Sequence, residues 1–197
     1  MKRYLLVLLA IACGAATAQD SPPVRLRATV ESYAAPLLVV KERNGKIISL
    51  TLPDDTGVVE VIPIDIISIQ PGSFIGTATL PRADGKLESL EVVVFPEAAR
   101  GTGEGHYPWD LKPDSSMTNA TVADLARSSG GRILTLRFKG GEKTVLVSDS
   151  VPIVTFRPGD RTLIVPGAKV FIVADVSDGQ LTVRRLMVGR NGLVPPM

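Results

Sequence analysis

Short runs in which apolar and polar side chains alternate recur along most of this chain, separated by Gly, Pro, Asn and Asp. A two-residue period puts one set of side chains on a buried face, so each run predicts a strand. RLRATVES (25–32) sets Leu26, Ala28 and Val30 against Arg25, Arg27, Thr29 and Glu31. PLLVVKER and KIISLTL then meet across Asn44-Gly45, a dipeptide that accepts the positive φ angles of a two-residue turn and so predicts a hairpin. RILTLRF and KTVLVS form a matching pair across Gly140-Gly141. Two further hairpins join SFIGTATLP to KLESLEVVVF around Asp84-Gly85, and KVFIVADV to QLTVRRLMV around Asp178-Gly179.

These elements repeat. Ala28-Thr29-Val30 recurs as Ala120-Thr121-Val122, the Pro71-Gly72 step as Pro166-Gly167, and Asp84-Gly85 as Asp178-Gly179. The offset drifts only where turns differ in length, as after Ser128-Ser129-Gly130-Gly131, which is the pattern left by duplication and loop editing. Each copy reads as five short strands with an irregular stretch between the third and fourth, IPIDIISIQPG and then FRPGDRTLIVPG. Asp65 and Asp160 are placed to cap a single helical turn there. The expected fold is all-β, with two tandem five-stranded OB-like Greek-key barrels at 24–96 and 119–192 and a connecting segment at 97–118. A flatter β-sandwich half is the alternative. A lone copy of this size buries only about 60% of its unfolded surface, so the two are expected to pack together.

The N-terminus changes the picture of where this happens. MKRYLLVLLAIACGAATAQD has two cations, an apolar run and an Ala16-Thr17-Ala18 site, the layout of a signal peptide spanning 1–18. The apolar run is about half the ~20 residues needed to cross a bilayer. Cys13 offers a competing lipobox, Leu9 to Cys13, that would leave a lipid anchor. Cleavage after Ala18 instead removes the one cysteine of the chain. The expected address is periplasmic or secreted. Losing Lys2 and Arg3 brings 22 basic residues to 20, against 20 acidic ones. A mature chain without net charge, with 5% aromatic residues, argues against nucleic acid as a partner.

The duplicated pattern, with RGTGEGHYPWD (100–110) and the closing GLVPPM, resembles a bacterial family of exported proteins of unknown function built from OB-like domains. The resemblance covers nearly all of the mature chain and implies the barrel pair, but its motifs are those of strands and turns and carry no chemistry. Proteins of this appearance sometimes bear the label metal ABC transporter permease. A permease needs several membrane-spanning segments, and after the leader no apolar run approaches the required length. An accessory part in periplasmic metal handling is the second reading that the resemblance leaves.

Candidate chemistry concentrates in the connector. Arg100, Glu104, His106, Tyr107, Trp109 and Asp110 lie within eleven residues and include the only histidine and the only tryptophan. Glu104, His106 and Asp110 are weak metal candidates, one nitrogen and two oxygens where zinc takes three or four firm ligands. A Ser-His-Asp hydrolase would have to use His106, and no G-x-S-x-G elbow is present. No dinucleotide or phosphate loop appears, so no cofactor is expected. Two readings of the connector stand side by side. In one, its aromatic and charged residues form a recognition patch between the barrels. In the other it is a strap, with Trp109 and Leu111 plugging the seam, Pro108 and Pro113 holding the chain extended, and His106 a hydrogen-bonded tether. Arg184-Arg185 reads as a device that keeps a strand edge soluble, and the sequon Asn119-Ala120-Thr121 as a strand start. The expectation is a non-catalytic binding or scaffold protein whose partner, an envelope protein or a small ligand, sits at the inter-barrel cleft. An undetected hydrolase is the third reading.

Overall fold

A computed structural model describes residues 22–196 of the chain, so the expected signal peptide at 1–18, with Cys13 and the expected cut after Ala18, lies outside the described residues. The first half contains β1 (Val24–Ala34), β2 (Leu37–Glu42), β3 (Ile47–Thr51), β4 (Val58–Pro63), β5 (Phe74–Pro81) and β6 (Leu87–Val94). A short β7 (Gly105–Pro108) lies in the connector. The second half repeats the series as β8 (Ser116–Ser128), β9 (Gly131–Phe138), β10 (Gly141–Ser148), β11 (Ile153–Pro158), β12 (Lys169–Ser177) and β13 (Gln180–Gly189). The fold is all-β, and among the described residues no helix is long and apolar enough to cross a membrane. Each half has six strands where alternation predicts five. The extra ones are β4, VVEVIP, a mostly apolar run without a clear two-residue period, and β11, IVTFRP, whose alternation is confined to Val154–Arg157 and runs directly into the irregular stretch.

The strands close into five-membered rings. Ring A runs β1, β2, β3, β13, β12 and returns to β1, its β3–β13 closure being the Thr51–Thr182 bridge. Ring B runs β8, β9, β10, β6, β5 and returns to β8. The expected boundaries at 24–96 and 119–192 therefore mark the repeat but not the barrels. Each ring takes three strands from one half and two from the other. The crossing is made by the stretch between the fourth and fifth strands of each half. There Asp65 and Asp160 accept from the N–H groups of Ile67 and Thr162, both at 2.8 Å, and cap 3-10 turns as expected. The residues that end those turns, Ile69 and Ile164, are buried in the core of the ring formed mainly by the other half. Gly72 donates to the Val122 carbonyl and Gly167 to that of Val30, each at 2.8 Å. Both glycines take φ of +88°, the left-handed region that a Cβ disfavours.

Matching irregularities show that the halves are related by a local twofold. One extra residue, Glu31 in β1 and Ala123 in β8, bulges each first strand. Another, Leu90 in β6 and Arg184 in β13, bulges each last strand. β4 and β11 pair antiparallel, with Val61 opposite Phe156. These two are equivalent, each lying two residues before the proline that ends its strand, so the pseudo-dyad passes between them. Rings A and B each enclose an apolar core. A third cluster of Val61, Val93, Val154, Phe171 and Met187 lies at the dyad, between the rings.

One residue from the dyad, Glu60 is only 4% exposed and takes Arg157 and Arg190 on its two carboxylate oxygens. The hydrogen bond from Arg157 holds its carboxyl below the ordinary glutamate range, helped by Arg190 and opposed by burial. A lowered folded-state pKa adds stability above the unfolded value of about 4.3, which is lost as pH falls through the folded value. Thermal midpoints followed from pH 7 to 3 should therefore drop steeply below about pH 4.3. Glu60→Gln should lower the midpoint at pH 7 and flatten part of that drop, whereas Glu142→Gln, whose pair with Arg137 is exposed, should do neither. An unchanged midpoint for Glu60→Gln would remove this residue as a dyad clamp.

Candidate functional site

The connector is folded onto the dyad by two anchors. β7 adds to the edge of β8, from Gly105 opposite Asn119 to Pro108 opposite Ser116. Beyond it, a tight loop is pinned by Ser115: its carbonyl accepts from Trp109 N–H at 2.8 Å, and its buried hydroxyl lies 2.7 Å from the Lys112 carbonyl and 2.9 Å from that of Trp109. A strand sends successive side chains to opposite faces, and β7 places His106 and Tyr107 on opposite sides.

His106 points away from the dyad. Its Nδ1 lies 2.8 Å from the Thr118 hydroxyl and its ring stacks on Phe138 at 6.3 Å. Burial, with the positive charge of Lys143 behind it, holds the imidazole below its usual range and neutral at pH 7. Glu104 accepts from the Lys139 N–H at 2.8 Å. Arg100 is forked onto Glu97 and donates to the Gly72 carbonyl at 2.9 Å. Asp110 pairs with Arg27 at 2.7 Å. Glu104, His106 and Asp110 are thus held by three different partners, and among the described residues no three His, Cys, Asp or Glu side chains gather as metal ligands. Among the described residues the side chains of Glu104 and Asp110 bond to Lys139 N–H and Arg27, and that of His106 to Thr118. The Thr118 contact gives His106 a hydrogen bond of the kind the strap reading expects.

Tyr107 and Trp109 face the other way, into a groove of about 320 Å³ that opens over the dyad between the rings. Their rings meet edge to face at 6.1 Å. Phe95, Phe156, Phe171, Val93 and Met187 make its apolar floor, part of the third cluster on which Trp109 packs. Trp109 therefore does plug the seam, whereas Leu111 is not among the residues of that cluster. The Tyr107 hydroxyl accepts from Asn119 Nδ2 at 3.3 Å, and the same amide donates to the Thr102 carbonyl at 3.1 Å. Asn119 is buried, which accounts for its sequon as structure. Burial raises the Tyr107 phenol above its usual range against the pull of Arg25, so the hydroxyl keeps its proton.

Four groups that alternation and spacing do not single out complete the groove: Arg25 of β1, Glu91 of β6, and Arg184 and Arg185 of β13. Arg25 lies over the Trp109 ring, its guanidinium carbon 4.5 Å from the centroid. Glu91 and Arg185 hold equivalent positions next to the matched bulges, opposite Ala78 and Val173. The bulge turns consecutive arginines toward one side, so the Arg184-Arg185 pair lines a groove as well as breaking an alternation. That break was the visible signal. The Trp109 indole nitrogen is buried and has no hydrogen-bond partner among the described residues. Beyond Arg185 the groove continues into a second depression of about 520 Å³, sharing Phe95, Thr102, Phe156, Arg185 and Met187.

Comparison of the chain with protein-family models, with curated proteins and with solved structures finds no match.

Proposed function

We propose that this chain is a non-catalytic binding module of the cell envelope, exported on its N-terminal leader, whose ligand seats in the groove on the pseudo-dyad. The observation that carries the reading is the convergence of Tyr107, Trp109, Arg25 and Arg185, from three separate stretches of chain, around an apolar floor. Concave apolar sites with a few convergent polar groups are the usual form of a small-ligand site, and 320 Å³ lies at the small end of their range. The strap and the site are then one object, because fixing Trp109 by Ser115 also pre-forms one wall. The order of strands around each ring supports reading the rings as OB-like Greek-key barrels, with the last two strands of each half, β5–β6 and β12–β13, exchanged between them.

Trp109 is the sole tryptophan, so its emission reports on this groove alone. In a screen of the mature chain against metals, sugars, nucleotides and small organic acids, a true ligand should both shift that emission and raise the thermal midpoint, since it binds the native state only. Ligands that raise the midpoint while leaving Trp109 silent would place the site elsewhere.

A further inference from the structure

We infer that the groove selects an anion with an elongated apolar body, and that Arg25 and Arg185 read its charge; this rests on the groove being the binding site. Neither arginine has an ion-pair partner among the described residues, and both are exposed at the groove. Arg184, the third guanidinium, makes only a 3.8 Å contact with Asp175. Set against the single carboxylate of Glu91, the lining carries an excess of positive charge over a floor of Val, Phe and Met. Guanidinium forks match the oxygen geometry of carboxylate, sulfonate and phosphate groups.

The shape sets the rest of the ligand. Arg185 stands where the two depressions join, so an anionic head held there leaves apolar floor running both ways along the trough. A neutral sugar would need many paired polar groups, and the floor offers none. One head and one apolar body fit.

Two dyes separate the charge from the body: 8-anilinonaphthalene-1-sulfonate and its neutral counterpart N-phenyl-1-naphthylamine. Both accept energy from tryptophan, so transfer from Trp109 places either one in the groove. The sulfonate should bind about tenfold more tightly than the neutral dye, the scale of a charge-assisted hydrogen bond, and lose that margin as salt rises. Arg25→Gln with Arg185→Gln should abolish the margin, bringing the two affinities level, and a margin that survives both substitutions would overturn the role of these arginines. Equal affinities for the two dyes in the parent chain would overturn the anion preference yet leave the groove as an apolar site. Absence of transfer from Trp109 to either dye would overturn the groove itself.

Discussion

A chain cut after Gly101 should still elute as one particle of uncut size and unfold in one transition. The loop at 101–104 is exposed, and a protease site inserted there is reachable. The cut separates β1–β6 from β7–β13, yet seven of the fourteen strand ladders join one half to the other. Losing the covalent link removes none of these ladders, and neither fragment can close a ring alone. Independent tandem barrels would behave in the opposite way, since each fragment would keep its core and drift from the other. Size exclusion of the cut chain, with and without urea, decides between them. Two folded species in the absence of urea would refute the exchange of strands.

The second large effect is expected at Leu186. Its side chain is fully buried in the core of ring A, on the strand that also pairs with β4 beside the dyad. Truncating a buried leucine to alanine costs about 2–5 kcal/mol, through lost transfer energy and the cavity left behind. For a chain of this length that lowers the thermal midpoint by roughly 10 °C. Because the rings share strands, the loss should not be confined to ring A. Trp109 emission, which reports on the seam, and far-ultraviolet circular dichroism, which reports on all strands, should shift together. Ile67→Ala, at an exposed position on a 3-10 turn, should move neither by more than about 0.5 kcal/mol. Non-coincident curves for Leu186→Ala would mean that the rings melt separately.

Local signals in the sequence were sufficient for most of the strands and for their turns. Asn44-Gly45, Asp84-Gly85 and Asp178-Gly179 sit at hairpin turns, and Asp65 and Asp160 cap the crossing turns. All of these are decided within a few residues. The partner of β5 is a different kind of question. Its alternating face would fit against β1 or β8 equally well, because those strands are copies of each other with the same bulge. Only the reach of the connection after β4, and the burial of Ile69 in ring B, choose β8. The candidate site divides in the same manner. Tyr107 and Trp109 stood out as aromatics in a Gly- and Pro-rich connector, whereas Arg25 and Arg185 join them from strands distant in sequence. His106 shared the prominence of its neighbours but faces away from Tyr107 because β7 alternates, and Glu104, just before that strand, is turned to the Lys139 N–H.

The exchange of strands also fixes an order of assembly during synthesis. Every strand of ring B falls between Phe74 and Ser148, so that barrel is complete in a single uninterrupted length of chain. Ring A is assembled from Val24–Thr51 and from Lys169–Gly189, the two extremities of the described chain. Contacts between such distant segments are slow to form, since the intervening chain must first be brought into a loop. As the polypeptide emerges, ring B can therefore close around its core while β1 to β3 wait with an open flank for β12 and β13, the last strands to arrive.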